Sequence, residues 1–428
     1  MYRRHQVKNM GMTKTSAQTG LRWMVEVSFL WYALLSALLI FSACASDTNE
    51  PQVHFVRSTA TSGGDGTSWE TAFTHPQDAL DGARYGDQVW VAHGVYGPLQ
   101  ADGQEVLRLV RGVEVLGGFG GYECGAQQRD PDQNLTVLDG QGLSYHVLTG
   151  ADRAILDGFT VTGGNADGQQ VQSRYGGTFT GGGMFNAGVS PQVRNCIFTG
   201  NFATIGGGAM YNEDNGPFIK DCVFKYNRAD FGGAMQNRGS APEIINTIFK
   251  ANESMVSGGA VADFEASPSF VNGVFSGNNC PGVGGAVLDN TSDAVFTNCS
   301  FTGNQAHVSG GGIAMWQGST RITNCILWDN RSDDGNELSE VDGTAHVKYS
   351  IVEGGYAGTD NLDEDPGFIE NGQWGTDGQW IEGNYELSAS SPAVDSGTSD
   401  EAPDFDAHYN LRPQALAHDR GAYERTGP

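Results

Sequence analysis

The sequence predicts an all-β fold: a single-stranded parallel β-helix, its short strands wound into stacked coils behind an N-terminal capping helix. Three observations predict it. A Phe-x-x-Asn motif recurs at residues 198–201, 224–227, 249–252, 275–278 and 301–304, with a degenerate copy at 327–330; the asparagines step by 26, 25, 26, 26 and 26 residues. A second motif, Gly-Gly-(Ala/Gly)-(Met/Val/Ile), keeps the same period at 181–184, 207–210, 232–235, 258–261, 284–287 and 310–313. Two motifs locked to one period imply stacked units that bury a continuous core. Composition then excludes helical units. Every repeat carries several glycines, which are costly inside helices, and its apolar residues come in runs of three to five bounded by Gly, Asn, Asp or Pro.

Taken in order, the chain divides as follows. Residues 1–43 read as an export signal: Arg3, Arg4, Lys8, Lys14 and Arg22 precede an apolar run from Val27 to Phe41, and Ser42 and Ala43 lead to Cys44. The apolar run is short for a spanning helix. Residues 44–52 form a linker. Residues 53–111 hold the N-terminal cap and first coil. Within them, 77–83 reads as a short amphipathic helix able to plug the open end, and 86–96 reads as a first full strand. Residues 112–335 are the β-helix repeats, irregular at first and regular over 181–330. Residues 336–428 read as the last coils and a C-terminal cap.

Each regular coil is expected to hold three short strands, with neighbouring coils ~4.8 Å apart. Identical side chains then form columns. The Phe198 column is apolar in all six units, and its neighbour headed by Ile197 is largely apolar too, so the sequence leaves open which of the two points inward. Asn201, Asn227, Asn252, Asn278, Asn304 and Asn330 form an unbroken polar column suited to satisfying buried turn groups. Pro191, Pro217, Pro242 and Pro268 open one strand with a preset φ.

Several motifs also carry a resemblance. The stretch 64–69 (GDGTSW), the strand at 89–96, and the endings at 365–368 (DPGF), 391–397 (SPAVDSG) and 421–424 (GAYE) resemble bacterial right-handed β-helix surface proteins. That resemblance implies the pectin-lyase-like, right-handed solenoid and a choice-of-anchor type of C-terminal region. The repeats are also similar to those of chlamydial polymorphic outer-membrane proteins, which implies adhesion. This chain departs from them in lacking a long series of alternating membrane strands at its end. The small residues before Cys44 resemble a bacterial lipoprotein signal, implying lipid attachment at Cys44 and a place in the cell envelope, at the outer membrane or cell surface.

Formal net charge is −26; removing residues 1–43 takes away five basic residues and one acidic one, leaving −30. Such a surface repels nucleic acid and free polyuronates. It is compatible with Ca²⁺, for which Asp360, Asp363 and Asp365 are candidate oxygen ligands. Cys196 with Cys222, and Cys299 with Cys325, share a column in adjacent coils, so each pair forms either a disulfide or stacked buried thiols. A monomer is expected, anchored to the membrane and partnered by carbohydrate or by the surface of a host or neighbouring cell.

Catalysis finds little support. The contexts of polygalacturonase, pectate lyase and pectin esterase are absent, and Asp333-Asp334 is the sole Asp-Asp pair. A lyase needs a base and a charge neutraliser in one cleft, for which Lys225 with Arg238 is the available pair. Asp263 and Asp289, in one column of successive coils, are the best carboxylate pair. Tyr211, Phe264 and Trp316 are candidates for stacking on sugar rings. The leading expectation is therefore non-catalytic surface binding or adhesion to glycans. A polysaccharide lyase or glycoside hydrolase of the same fold is the alternative, and a structural envelope component the weaker one.

Overall fold

The computed structural model describes residues 50–99, 105–168, 177–335 and 337–427, and within it Pro51–Pro428 forms one unit. It is a right-handed parallel β-solenoid. Three parallel sheets form its walls: one of 18 strands, one of ten and one of six. The first coil starts at Val53–Val56, which pairs in parallel with Gln88–Ala92. The expected strand over 86–96 is two strands. Gln88–Ala92 joins the large sheet and Gly94–Tyr96 opens the ten-stranded one. Helix Pro76–Leu80 is present, its first turn capped by His75 Nδ1, which accepts from the Gln77 amide at 3.1 Å. Ala79 and Leu80 are buried in the main core against the first coils, as a plug requires.

A regular coil contains four strands rather than three. In the coil that starts the regular array these are Met184–Ala187, Gln192–Arg194, Ile197–Thr199 and Phe202–Ala203. The first two share the large sheet. A left-handed residue separates them: Gly188 there, then Asp214, Gly239 and Glu265 in later coils, while the left-handed Thr291 lies inside strand Val287–Ser292. Further on the strand runs through this point, as Ile313–Thr323 and Leu338–Lys348. Left-handed backbone also marks the Asn195 column (φ 50–55°) and the residue before each ladder asparagine. Asn and Gly tolerate that conformation best, which explains the composition of these columns.

The Gly-Gly motif answers to two constraints. Gly207 has φ +61°, and a Cβ there would stand 2.1 Å from the Met210 carbonyl oxygen. A Cβ on Gly208 would stand 2.3 Å from the Gly233 carbonyl oxygen of the next coil. The chain cannot turn this tightly with a side chain present.

Inside, Phe198, Phe224, Phe249, Phe275 and Phe301 stack face to face at 4.5–5.0 Å. Each buried ring contributes roughly 2–3 kcal/mol by burial, and each stacked pair about 1 kcal/mol more. The Asn201 column is an internal ladder. Asn227 Nδ2 donates to Asn252 Oδ1 (3.1 Å) and to the Phe198 carbonyl (2.9 Å), and the Asn227 amide donates to the same Oδ1. The pattern continues to Asn330, whose amide and Nδ2 donate to Glu337 Oε1 and Oε2. Glu337 replaces the next asparagine, and burial pushes its carboxyl well above the usual range.

The Ile197 column faces outward on the ten-stranded sheet, and the C-terminal region covers its later apolar members. Residues 363–427 run back along the side of the solenoid. Phe368, Tyr385, Leu387, Ala393 and Ala422 cover Val274, Ile326 and Ile351. Amides of the Asn195 column hold this strap in place: Asn272 Nδ2 donates to the Phe405 carbonyl, Asn298 Nδ2 to that of Asp419, and Asn324 Nδ2 to that of Thr398, all at 2.8–2.9 Å. Arg412, Glu424 and Arg420 fix its far end, with Arg420 Nη1 donating to the Ser350 carbonyl at 3.0 Å.

Candidate functional site

Strand alternation decides where each candidate residue goes. In Val261–Phe264 and its neighbours, the first and third residues face inward. Asp263 and Asp289 are therefore sealed inside the solenoid and cannot meet a surface ligand. They terminate a second internal ladder. Asn186 donates to Asn212, Asn212 to Asn237, and Asn237 Nδ2 to Asp263 Oδ1 at 2.7 Å. From the other side, the Thr320 hydroxyl donates to Asp289 Oδ2. Burial, followed by the neighbouring Asp289, pushes the Asp263 carboxyl well above its usual range, and burial raises that of Asp289.

The other candidates are scattered. Tyr211 is buried, its ring parallel to Phe185 at 5.8 Å. Phe264 is half-buried and edge-on to Phe231; Trp316 is exposed beside Val341 on the outer face of the large sheet. Lys225 projects from the ten-stranded sheet and Arg238 from the end of a strand in the large sheet, so they share no cleft. Asp360, Asp363 and Asp365 are exposed and serve turns. Asp363 accepts from the Gly354 amide and Asp365 from that of Gly367. No cluster of three metal-ligating side chains forms among the described residues. Cys196, Cys222, Cys299 and Cys325 are buried free thiols, stacked coil on coil. Their shared column faces a tightly packed core, and burial pushes the Cys222 and Cys299 thiols up. Cys44 lies outside the described residues.

The structure builds a groove elsewhere, where the strap meets the corner between the ten- and six-stranded sheets. Its volume is about 320 Å³. One wall is the solenoid: Tyr226, Ala251 and Gly277 from one column, and Arg228, Glu253 and Asn279 from another. The opposite wall is an antiparallel hairpin, Gln373–Trp374 with Trp380–Ile381, contributing Trp374, Gly378, Gln379 and Trp380. Trp374 Nε1 donates to the Gly303 carbonyl at 2.9 Å, and Lys250 meets Glu382 at 3.4 Å. Trp380 lies flush on the coils. A Cβ at Gly277 would meet its ring at 2.2 Å, and one at Gly303 at 1.9 Å. Those two glycines provide the turn and also seat the hairpin.

Three features distinguish this groove. Tyr226 is 52% exposed although it occupies the left-handed position that Gly200, Gly277 and Gly303 fill elsewhere, at φ 56°. A tyrosine there costs about 1–2 kcal/mol relative to glycine. Two buried polar atoms of lining residues, Trp380 Nε1 and Asn279 Oδ1, have no hydrogen-bond partner. Arg228 and Glu253 pair across adjacent coils at 3.5 Å. An exposed tyrosine ring facing a tryptophan hairpin, with amide side chains in the same lining, can hold a hydroxyl-rich ring. Two signals mark these residues in the sequence: Tyr226 interrupts a glycine-rich column, and Gly-Thr-Asp-Gly at 375–378 separates two tryptophans as a hairpin turn does.

Among known proteins, a family described as the right handed beta helix region matches residues 183–359. A solved structure of pectate lyase Pel9A is similar at 14% identity, covering 88% of this chain and 96% of that one with a TM-score of 0.50. That likeness concerns the fold alone. No curated protein matches the chain.

Proposed function

We propose that this chain is an exported, envelope-anchored β-helix protein that binds glycan chains at the strap groove and does not turn them over. The observation carrying the reading is an exposed Tyr226, held in left-handed backbone, beside a tryptophan hairpin across a groove lined mostly by amides and aromatic rings. Attachment through a lipid on Cys44 would present the groove at a cell surface, where adhesion is the natural use. Cleavage of pectate, after which the structural neighbour is named, has weaker support. Asp263 and Asp289 are sealed, and Lys225 and Arg238 stand on different sheets.

The test is an immobilised-glycan panel probed with the mature protein, read for both binding and new reducing or unsaturated ends. Binding without product, weakened at least ~10-fold by Tyr226→Ala and by Trp374→Ala, supports the reading. Product formation would make the protein an enzyme, and binding indifferent to both substitutions would move the site elsewhere.

A further inference from the structure

We infer that the groove selects an uncharged glycan chain lying parallel to the solenoid axis and discriminates against polyuronates. This rests on the glycan-binding reading above and adds the class of ligand and its direction.

Direction follows from the repeat. Tyr226, Ala251 and Gly277 are one position in three successive coils, and Arg228, Glu253 and Asn279 are another. The wall therefore runs along the stacking direction for two coil spacings, about 10 Å. A ligand lying across the coils would meet the hairpin within one coil; one lying along them meets the same kind of surface at each step. A polymer of repeating rings is the ligand that such a wall suits.

Charge follows from the lining. Arg228 and Glu253 are its only ionic residues, and they neutralise each other. The guanidinium is engaged a second time, with Nε 3.1 Å and Nη2 2.7 Å from the Met255 sulfur. A carboxylate reaching the only cation in the lining would have to displace Glu253 and would meet its carboxylate there. The remaining lining groups are amides, aromatic rings, alanine and glycine. The net charge of −26 acts in the same direction at longer range.

The experiment is calorimetric titration of the mature protein with cellohexaose, xylohexaose, mannohexaose and N-acetylglucosamine hexamer against hexagalacturonate, at 0.15 M and 1 M NaCl. At least one uncharged hexamer is expected to bind ~10-fold or more tighter than hexagalacturonate. Most of that preference persists at 1 M salt, where the screening length falls to ~3 Å. Glu253→Gln, which leaves Arg228 unpaired, is expected to narrow the preference at least ~3-fold. Hexagalacturonate binding as tightly as every uncharged hexamer, with Tyr226→Ala weakening it, would overturn the charge inference while leaving the glycan site intact. A preference that vanishes at 1 M NaCl would assign selection to the whole surface and overturn the role of the groove. If no hexamer binds, the glycan-binding reading itself fails. Direction is read separately: for the hexamer that binds, Ala251→Trp, in the middle coil of the wall, should reduce affinity as much as Tyr226→Ala. An unaffected affinity there would refute the axial path.

Discussion

Asp263→Asn should stabilise this protein, and by more at pH 8 than at pH 5. Donors can be counted around the pair. Asn237 supplies one to Asp263 Oδ1 and Thr320 one to Asp289 Oδ2, leaving Asp263 Oδ2 and Asp289 Oδ1 buried with none. Two adjacent carboxylates cannot both ionise in that setting, so the folded pair keeps at least one proton. Its carboxyls are raised by burial, and Asp289 also feels nearby Asp293. The sign follows. Below an unfolded carboxyl value of ~3.9, both folded and unfolded chains hold the proton and no penalty exists. As pH rises, the unfolded chain releases it while the folded chain retains it. Stability therefore falls by about 1.4 kcal/mol per pH unit for each retained proton, until the folded pair ionises. An amide at 263 accepts from Asn237 and donates to Asp289 Oδ1, extending the ladder without needing a proton. Urea unfolding of wild type and variant at pH 5, 6.5 and 8 measures the difference slope. A variant whose stability tracks wild type in parallel across that range would refute the shared proton.

Three more outcomes can be checked. Tyr226→Gly relieves left-handed strain but loosens the unfolded chain, so thermal unfolding should show a gain of up to about 1 kcal/mol together with weaker glycan binding; a loss of stability would mean that Tyr226 packs structurally. Asn252→Ala strands the Asn227 amide and the Phe224 carbonyl inside the solenoid, and should cost roughly 2–4 kcal/mol in urea unfolding; a change below ~0.5 kcal/mol would demote the ladder. Cys44→Ser should move the protein from the membrane to the soluble fraction, and unchanged partitioning would refute lipid attachment.

Much of the fold could be read from the chain because a stacked coil repeats its physics. A left-handed turn favours Gly or Asn, as at Gly200, Gly277 and Gly303 or in the Asn195 column, and a buried ladder asks for asparagine at 201, 227 and 252. Both constraints are local, or act between neighbours 25 or 26 residues apart, so they leave a period in the sequence. Alternation within a strand was equally local, yet the inward turn of Asp263 and Asp289 was missed. A polar pair in a column of asparagines looks the same whether it lines a groove or ends a ladder, until burial is known.

The sequence by itself determined the all-β solenoid, its period, the plugging helix and the columns, since each rests on backbone conformation or coil-to-coil stacking. Only the tertiary structure decided that Phe198 faces in and Ile197 out, and that residues 363–427 lie along the wall. It alone brings Trp374 and Trp380 against Tyr226. That groove joins positions about 150 residues apart through one hairpin that does not repeat. A contact made once, between a periodic wall and an aperiodic strap, leaves no period by which the chain could announce it.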